Sequence, residues 1–302
     1  MIRIRLLFLL AALVVSASVV VAQDDDDVVR VNTDLIVLNV TVTDKAGQYV
    51  KGLKRSDFKL YIDGVEVDQN TIAGFSFQEA PYAAVLLLDS SGSMEERFTL
   101  ARSAAIRFLD GLRPEDVAAV YRFDSKVERV QDFSSSRDLS PTAYTIRAYG
   151  MTTLNDAILE AADTLASRTE PRKAIVILSD GMDTQSRVTS DKAVERALAV
   201  GASIYAVDMS QMDVAASRKQ SGAPTLKAFA EKTGGRFVST PGGPALRDAF
   251  TGIADELGHQ YSLSYRPTQQ NRDGKWHTIE VKVNREEVRI RTRKGFRVPK
   301  RN

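Results

Sequence analysis

Residues Ala83 to Met94 read AAVLLLDSSGSM. An unbroken apolar run from Ala83 to Leu88 stops at Asp89, and Ser91 and Ser93 follow with Gly92 between them. A short continuous apolar run of this kind predicts a strand buried on both faces. The polar residues after it read as a tight turn into a helix. One carboxylate and two hydroxyls then stand at the carboxyl end of a central strand, where open α/β sheets bind ligands.

Working outward, strands and helices alternate. Met94, Phe98, Ala101, Ala105, Phe108 and Leu112 fall on one helical face. Val117–Phe123 reads as a strand and Val127–Phe133 as an antiparallel edge strand. Leu154, Ala157, Ile158, Ala161 and Leu165 mark a second amphipathic helix. Ala174–Leu178 is another fully apolar strand, ending at Ser179-Asp180-Gly181. A helix around Ala193–Leu198, a strand over Ser203–Val207 and a polar loop over Ser210–Ala223 come next. Then follow a helix over Pro224–Lys232 stopped by Gly234-Gly235, a strand at Arg236–Ser239 and a last helix over Ala245–Leu257. This alternation predicts a Rossmann-like, doubly wound, mostly parallel sheet.

Both ends have a different texture. Ile36, Leu38, Val40 and Val42 alternate with more polar positions, as do Phe58, Leu60 and Ile62 before the hairpin signal Asp63-Gly64. Tyr261, Leu263 and Tyr265, then His277, Ile279, Val281 and Val283, do the same near the other end. The expected organisation is a signal peptide over 1–22, an Ig-like β segment over 23–80, the α/β domain over 81–258 and a β segment over 259–302. The two β segments are expected to form one small sandwich beside the α/β domain.

The first residues are basic, then apolar from Leu6 to Val15, then small up to Ala22. That pattern predicts a secretory leader cleaved before Gln23, and so a secreted or periplasmic protein with no stable membrane span once the leader is removed. The apolar stretch is at the short end for an uncleaved anchor. Asp24–Asp27 reads as a solvated acidic linker.

Arg3 and Arg5 of the leader account for the whole formal net charge of +2. A neutral remainder gives no support for nucleic-acid or membrane-surface binding. The absence of cysteine excludes disulfides, thiolate chemistry and Cys-ligated zinc. With two histidines, His259 and His277, a multi-histidine metal site or a Ser-His-Asp triad is hard to build.

Three loops carry the chemistry: Asp89-x-Ser91-x-Ser93, Gly150-Met151-Thr152-Thr153 before a helix, and Ser179-Asp180-Gly181 after the second apolar strand. Such a set offers only oxygen, which suits Mg²⁺, Mn²⁺ or Ca²⁺ rather than zinc. Two carboxylates just neutralise a dication, so a partner's carboxylate can replace a water and complete the shell. That chemistry belongs to ion-bridged adhesion rather than turnover.

DSSGSM, GMTTLNDAI and ILSDGMDT resemble the three metal-binding loops of the von Willebrand factor type A (VWA) domain. The resemblance implies a metal-ion-dependent adhesion site (MIDAS) formed by Asp89, Ser91, Ser93, Thr152 and Asp180, holding Mg²⁺, with Mn²⁺ or Ca²⁺ as alternatives. It also implies a protein partner presenting an Asp or Glu. The flanks, LIVLNVTVTDKAGQYVKGLKRSDFKLYIDG and HQYSLSYRP…GKWHTIEVKV…RTRKGFRVP, resemble the secreted VWFA-related Acidobacterial domain family.

Blander readings stand beside these. Ser93 and Glu96 spell a capping box, and Thr153 with Asp156 suits the start of a helix. Glu95 and Asp183 read as solvated loop charges. Asn39-Val40-Thr41 is a glycosylation sequon inside a strand pattern. Arg289, Arg291 and Arg293 read as a solvated or edge-protecting face. His259, His277 and Trp276 read as structural. The competing functions are an envelope scaffold with a vestigial metal site and an Asp-nucleophile phosphatase. The latter needs an acid two residues after Asp89, where Ser91 stands.

Overall fold

The computed structural model describes residues 35–76, 80–210, 222–240, 242–298 and 300. The leader, the acidic run and most of the polar loop after Ser210 lie outside the described residues.

The order of elements begins with four strands, β1 (Ile36–Thr43), β2 (Phe58–Ile62), β3 (Val65–Glu66) and β4 (Ile72–Ser76). The alternating part follows: β5 (Tyr82–Asp89), α1 (Phe98–Asp110), β6 (Val117–Phe123), β7 (Val127–Ser134), α2 (Leu154–Ala166) and β8 (Arg172–Ser179). It continues through α3 (Ser190–Ala199), β9 (Ala202–Asp208), α4 (Ala223–Thr233), β10 (Phe237–Ser239) and α5 (Gly243–Gly258). Four strands close the chain: β11 (Tyr261–Tyr265), β12 (Trp276–Val283), β13 (Arg289–Arg291) and β14 (Gly295–Arg297).

The central sheet has six strands in the order β10-β9-β8-β5-β6-β7. All neighbours are parallel except β7, which runs antiparallel at the edge. Every residue of β5 is buried, which explains its unbroken apolar run: both faces are covered. Tyr82, Leu86 and Leu88 face one core with α1 and α5, whereas Ala83, Val85 and Leu87 face a second core with α2, α3 and α4. This is the mixed α/β fold with a mostly parallel sheet that the sequence predicts.

Strands from the two ends interleave in two further sheets, ordered β13-β1-β11-β4 and β14-β12-β2-β3. Leu38 lies opposite Leu263 between β1 and β11, and Leu60 opposite Val281 between β2 and β12. The alternating apolar residues of both sheets meet in a third core, where Phe58 packs against Phe75 and Tyr261 and Tyr265 against Phe296. The α/β part leaves after β4 and returns at β11, and these two strands pair antiparallel.

One expectation fails at the junction of the sandwich with the α/β part. Arg289 is exposed, but Arg291 and Arg293 are not a solvated face. Arg291 pairs with buried Glu256 of α5 and donates to the Gly235 carbonyl at 3.0 Å. Arg293 is buried and donates to the carbonyls of Leu198 and Gly295 at 2.8 and 2.9 Å. The period-2 pattern is right, but the outer face is covered by the neighbouring layer. Asn39 is likewise buried, donating to the Gly201 carbonyl and accepting from Ser262 Oγ, which leaves no room for a glycan. His277 is held between Asp63 and Asp273, and His259 stacks on Tyr49, so both histidines serve the fold.

Candidate functional site

β5 and β8 are adjacent and parallel, with Leu88 opposite Leu178. Asp89 and Ser179 therefore end side by side at the carboxyl edge of the sheet. Ser179 Oγ donates to Asp89 Oδ2 at 2.5 Å, and the Ser91 amide donates to Asp89 Oδ1 at 2.9 Å. This carboxylate is fully buried. Burial pushes its pKa up to about 6, against the pull of its Ser179 and Ser91 hydrogen bonds, and the negative charge of Asp180 adds to the rise.

Ser91 is buried and Ser93 exposed, with their hydroxyls 3.1 Å apart. Ser93 forms no capping box. The chain turns as a short 3-10 segment over Gly92–Arg97, Ser91 stands just before it, and α1 begins only at Phe98. Ser93 thus sits inside the turn, where its hydroxyl lies toward Ser91 rather than toward a helix start.

The second loop is locked against the first. The Gly92 amide donates to the Gly150 carbonyl at 3.1 Å, and the Tyr149 amide to the Ser90 carbonyl at 2.8 Å. Gly150 has φ +85°, a left-handed conformation that favours glycine, and a Cβ there would lie 2.6 Å from Ser125 Oγ, which would have to turn away. Thr152 is buried beside this contact. Its amide donates to Thr184 Oγ1 at 2.9 Å, and its carbonyl accepts from the amides of Thr184 and Gln185. Loops two and three are therefore joined as firmly as loops one and two.

Thr153 does not cap α2. Its hydroxyl donates to the Asp124 carbonyl at 2.9 Å. The start of α2 is satisfied instead by loop three, where Asp183 Oδ2 accepts from the Asn155 amide at 2.8 Å and Ser186 Oγ from the Asp156 amide at 3.1 Å. Asp156 returns the contact by accepting from the amides of Arg187 and Val188. Asp183 is thus a cap supplied from a distant loop, not a solvated charge.

Asp180 follows β8 and is buried, with Oδ1 3.3 Å from the Met182 amide. The next residue, Gly181, has φ +79°, and a Cβ there would lie 2.7 Å from the backbone of Gly222. Behind loop one, Asp124 accepts from Ser90 Oγ at 3.2 Å and pairs with Arg122 at 2.5 Å.

Asp89, Ser91, Ser93, Thr152 and Asp180 are thus carried on three loops hydrogen-bonded into one rim. Ser179, Asp124, Asp183 and Thr184 brace it; Asp124 and Thr184 were not singled out by sequence, Asp183 was read as a solvated charge, and Ser179 was placed in the loop without a role. A signal for Ser179 exists, since it is the polar residue that ends the strand beside Asp89. Among the described residues no group of three or more His, Cys, Asp or Glu side chains is placed to hold a metal. The rim offers two carboxylates and hydroxyls instead, an all-oxygen set of the kind that suits a hard divalent cation. The buried Asp89 charge, beside a second carboxylate, fits such a cation on the same grounds.

Residues 84–182 match the von Willebrand factor type A domain family. No curated protein matches the sequence. Among solved structures, the von Willebrand factor domain of the type V pili tip protein Mfa5 from Porphyromonas gingivalis is 15% identical, covers 59% of this chain and 95% of its own, and has a TM-score of 0.50. A von Willebrand factor type A protein from Catenulispora acidiphila is 14% identical, covers 80% of this chain and 73% of its own, and also has a TM-score of 0.50. At such identities the likeness is one of fold, and it agrees with the sequence match: residues 84–182 match the von Willebrand factor type A family, and the α/β part around them has that fold.

Proposed function

We propose that this chain is a non-catalytic protein-binding module of a secreted or envelope protein, and that it captures an acidic side chain of its partner through a divalent cation, Mg²⁺ by preference. The observation that carries this reading is the juxtaposition of buried Asp89 with Asp180, Ser91, Ser93 and Thr152 on one braced edge. Asp89, Ser91 and Ser93 would hold the ion from one loop, Thr152 and Asp180 from the other two. A bound dication supplies a Lewis-acidic centre that takes an oxygen from a partner carboxylate. The chain's own residues do the rest. Ser179 and the Ser91 amide fix the Asp89 carboxylate, and the Thr184 hydrogen bonds fix Thr152.

Adhesion is favoured over hydrolysis by what surrounds Asp89. Both of its oxygens accept hydrogen bonds from the chain, and the position two residues on holds Ser91, which is no general acid. Occurrence of the same fold in a pilus tip protein supports a binding role outside the cell. Among the described residues no helix is long and apolar enough to cross a membrane.

The test is thermal unfolding in Mg²⁺, Mn²⁺, Ca²⁺ or EDTA, combined with capture from envelope extract. Binding to the folded state raises Tm by mass action. Mg²⁺ is expected to raise Tm and to permit capture, and Asp89→Ala to abolish both. A wild-type Tm indifferent to all three ions overturns the reading.

A further inference from the structure

The two loops that meet at Gly92 and Gly150 differ in surface chemistry. Residues 144–152 read YTIRAYGMT and place alternate side chains inward and outward. Ile146 and Ala148 pack against the α1 core and Thr152 is buried at the rim. Arg147, Tyr149 and Met151 point out. Tyr149 is 82% exposed and Met151 50% exposed, among the most exposed large apolar side chains of the described residues. Tyr144, 57% exposed, begins the same segment, with the Arg102 guanidinium of α1 stacked over its ring and bonded to its carbonyl. The segment contains no acid and carries an exposed arginine. Loop one, by contrast, leads into exposed Glu95 and Glu96.

Exposed aromatic and methionine side chains cost solvation unless they are used, and they favour protein contact surfaces. These two are also held in place. The Tyr149 amide is bonded to Ser90, the Met151 amide to Ser125 Oγ at 3.0 Å, and Gly150 between them is fixed by Gly92. Their backbone therefore stands in line with Thr152 on a braced edge, which spares a partner the cost of ordering the loop.

We infer that Tyr149 and Met151, with Arg147 beside them, form a specificity rim that selects a protein partner whose captured acidic residue is flanked by a large apolar side chain. The proposal rests on the acid-capture reading above and adds the partner's sequence chemistry to it. The acid matches the rim's cation and Arg147; the apolar neighbour covers Tyr149 and Met151; and Glu95 and Glu96 disfavour a second acid on the loop-one side.

The experiment uses the full chain and three short peptides, each coupled in several copies to the same inert carrier so that avidity brings weak contacts into range. Their sequences are Gly-Phe-Asp-Leu-Gly, Gly-Ser-Asp-Ser-Gly and Gly-Phe-Asn-Leu-Gly. In Mg²⁺ the first is expected to bind wild type about tenfold more tightly than the second, the scale of one good aromatic contact, and the third not to bind. In Tyr149→Ser/Met151→Ser, whose folding is checked by its thermal transition, the first falls to the level of the second. Equal binding of the two Asp carriers, or a preference that survives in the double variant, overturns the rim while leaving acid capture standing. Failure of both Asp carriers to bind in Mg²⁺, or binding of the Asn carrier as well as its Asp counterpart, overturns acid capture and the rim with it.

Discussion

Two buried carboxylates in this molecule are treated in opposite ways. Glu256, on α5, is closed off by the chain itself. Arg291 reaches it from the sandwich, Tyr205 Oη donates at 2.7 Å, Thr41 Oγ1 at 3.3 Å, and Arg236 lies at 3.9 Å. Asp89, at the sheet edge, accepts only uncharged donors, Ser179 and the Ser91 amide, and has Asp180 rather than an arginine for company. A buried charge without a partner is expensive. Asp89 carries that cost at the edge where three loops meet. The first carboxylate fastens two layers together; the second is the one that the proposed cation would compensate.

The largest effect expected from this contrast is at the fastened pair. Arg291→Met leaves Glu256 buried without its principal counter-charge and should cost about 3 kcal/mol in urea unfolding. A loss below about 1 kcal/mol would mean that Arg236 and Tyr205 suffice, and the two carboxylates would be less different than described. Asp89→Asn should behave oppositely. In EDTA it relieves an uncompensated buried charge and leaves stability unchanged or raised. In Mg²⁺ it forfeits the ligand-linked gain, about 2.7 kcal/mol at a hundredfold excess over Kd. A variant destabilised in EDTA as much as in Mg²⁺ would make Asp89 a plain structural residue.

Smaller effects separate the two neighbouring threonines. Thr153→Ala removes the hydroxyl bonded to the Asp124 carbonyl and should cost about 1 kcal/mol while keeping the metal-dependent rise in Tm. Thr152→Ala should cost less stability and lose most of that rise. Asp183→Ala removes the cap that loop three lends to α2, also worth about 1 kcal/mol by denaturant unfolding.

The smallest effect concerns a charge cluster whose two carboxylates are exposed, where solvent screens what burial sharpens elsewhere. Burial pulls the His277 pKa down, but its hydrogen bonds to Asp63 and Asp273 outweigh this and raise it above the usual imidazole value. Its contribution is complete below pH about 6.5 and fades as pH rises through the raised value. Asp63, held low chiefly by the His277 hydrogen bond, contributes above the usual carboxylate range and fades as acid protonates it. Tm should therefore decline slightly from pH 6 to 8 in wild type and less so in His277→Gln. Identical profiles would show that the cluster is fully screened.

Much of this was legible in the residues. The apolar runs of β5 and β8 announced strands covered on both faces, because no exposed side chain interrupts them. The spacing of Asp89, Ser91 and Ser93, with Thr152 and Asp180, pointed to one sheet edge because parallel neighbours end together. The tertiary partners were not legible. Arg291 and Arg293 alternate like a solvated strand face, and nothing local says that Glu256 and the Leu198 carbonyl cover them. Thr153 has the right identity for a helix cap, but the Asp124 carbonyl takes its hydroxyl and Asp183 takes its place. Local pattern reports which way a side chain points; what it meets there depends on a layer far away in sequence.

The antiparallel ladder between β4 and β11 has a mechanical consequence. The α/β part leaves and re-enters the sandwich through two strands stitched to each other, with Leu263 opposite Phe75. Tension applied between residues 35 and 298 is borne at one end by β1 against β11 and β13, and at the other by β14 against β12. The three rim loops hang from that closed seam as a side branch, and they feel no pull along the chain until the seam itself parts.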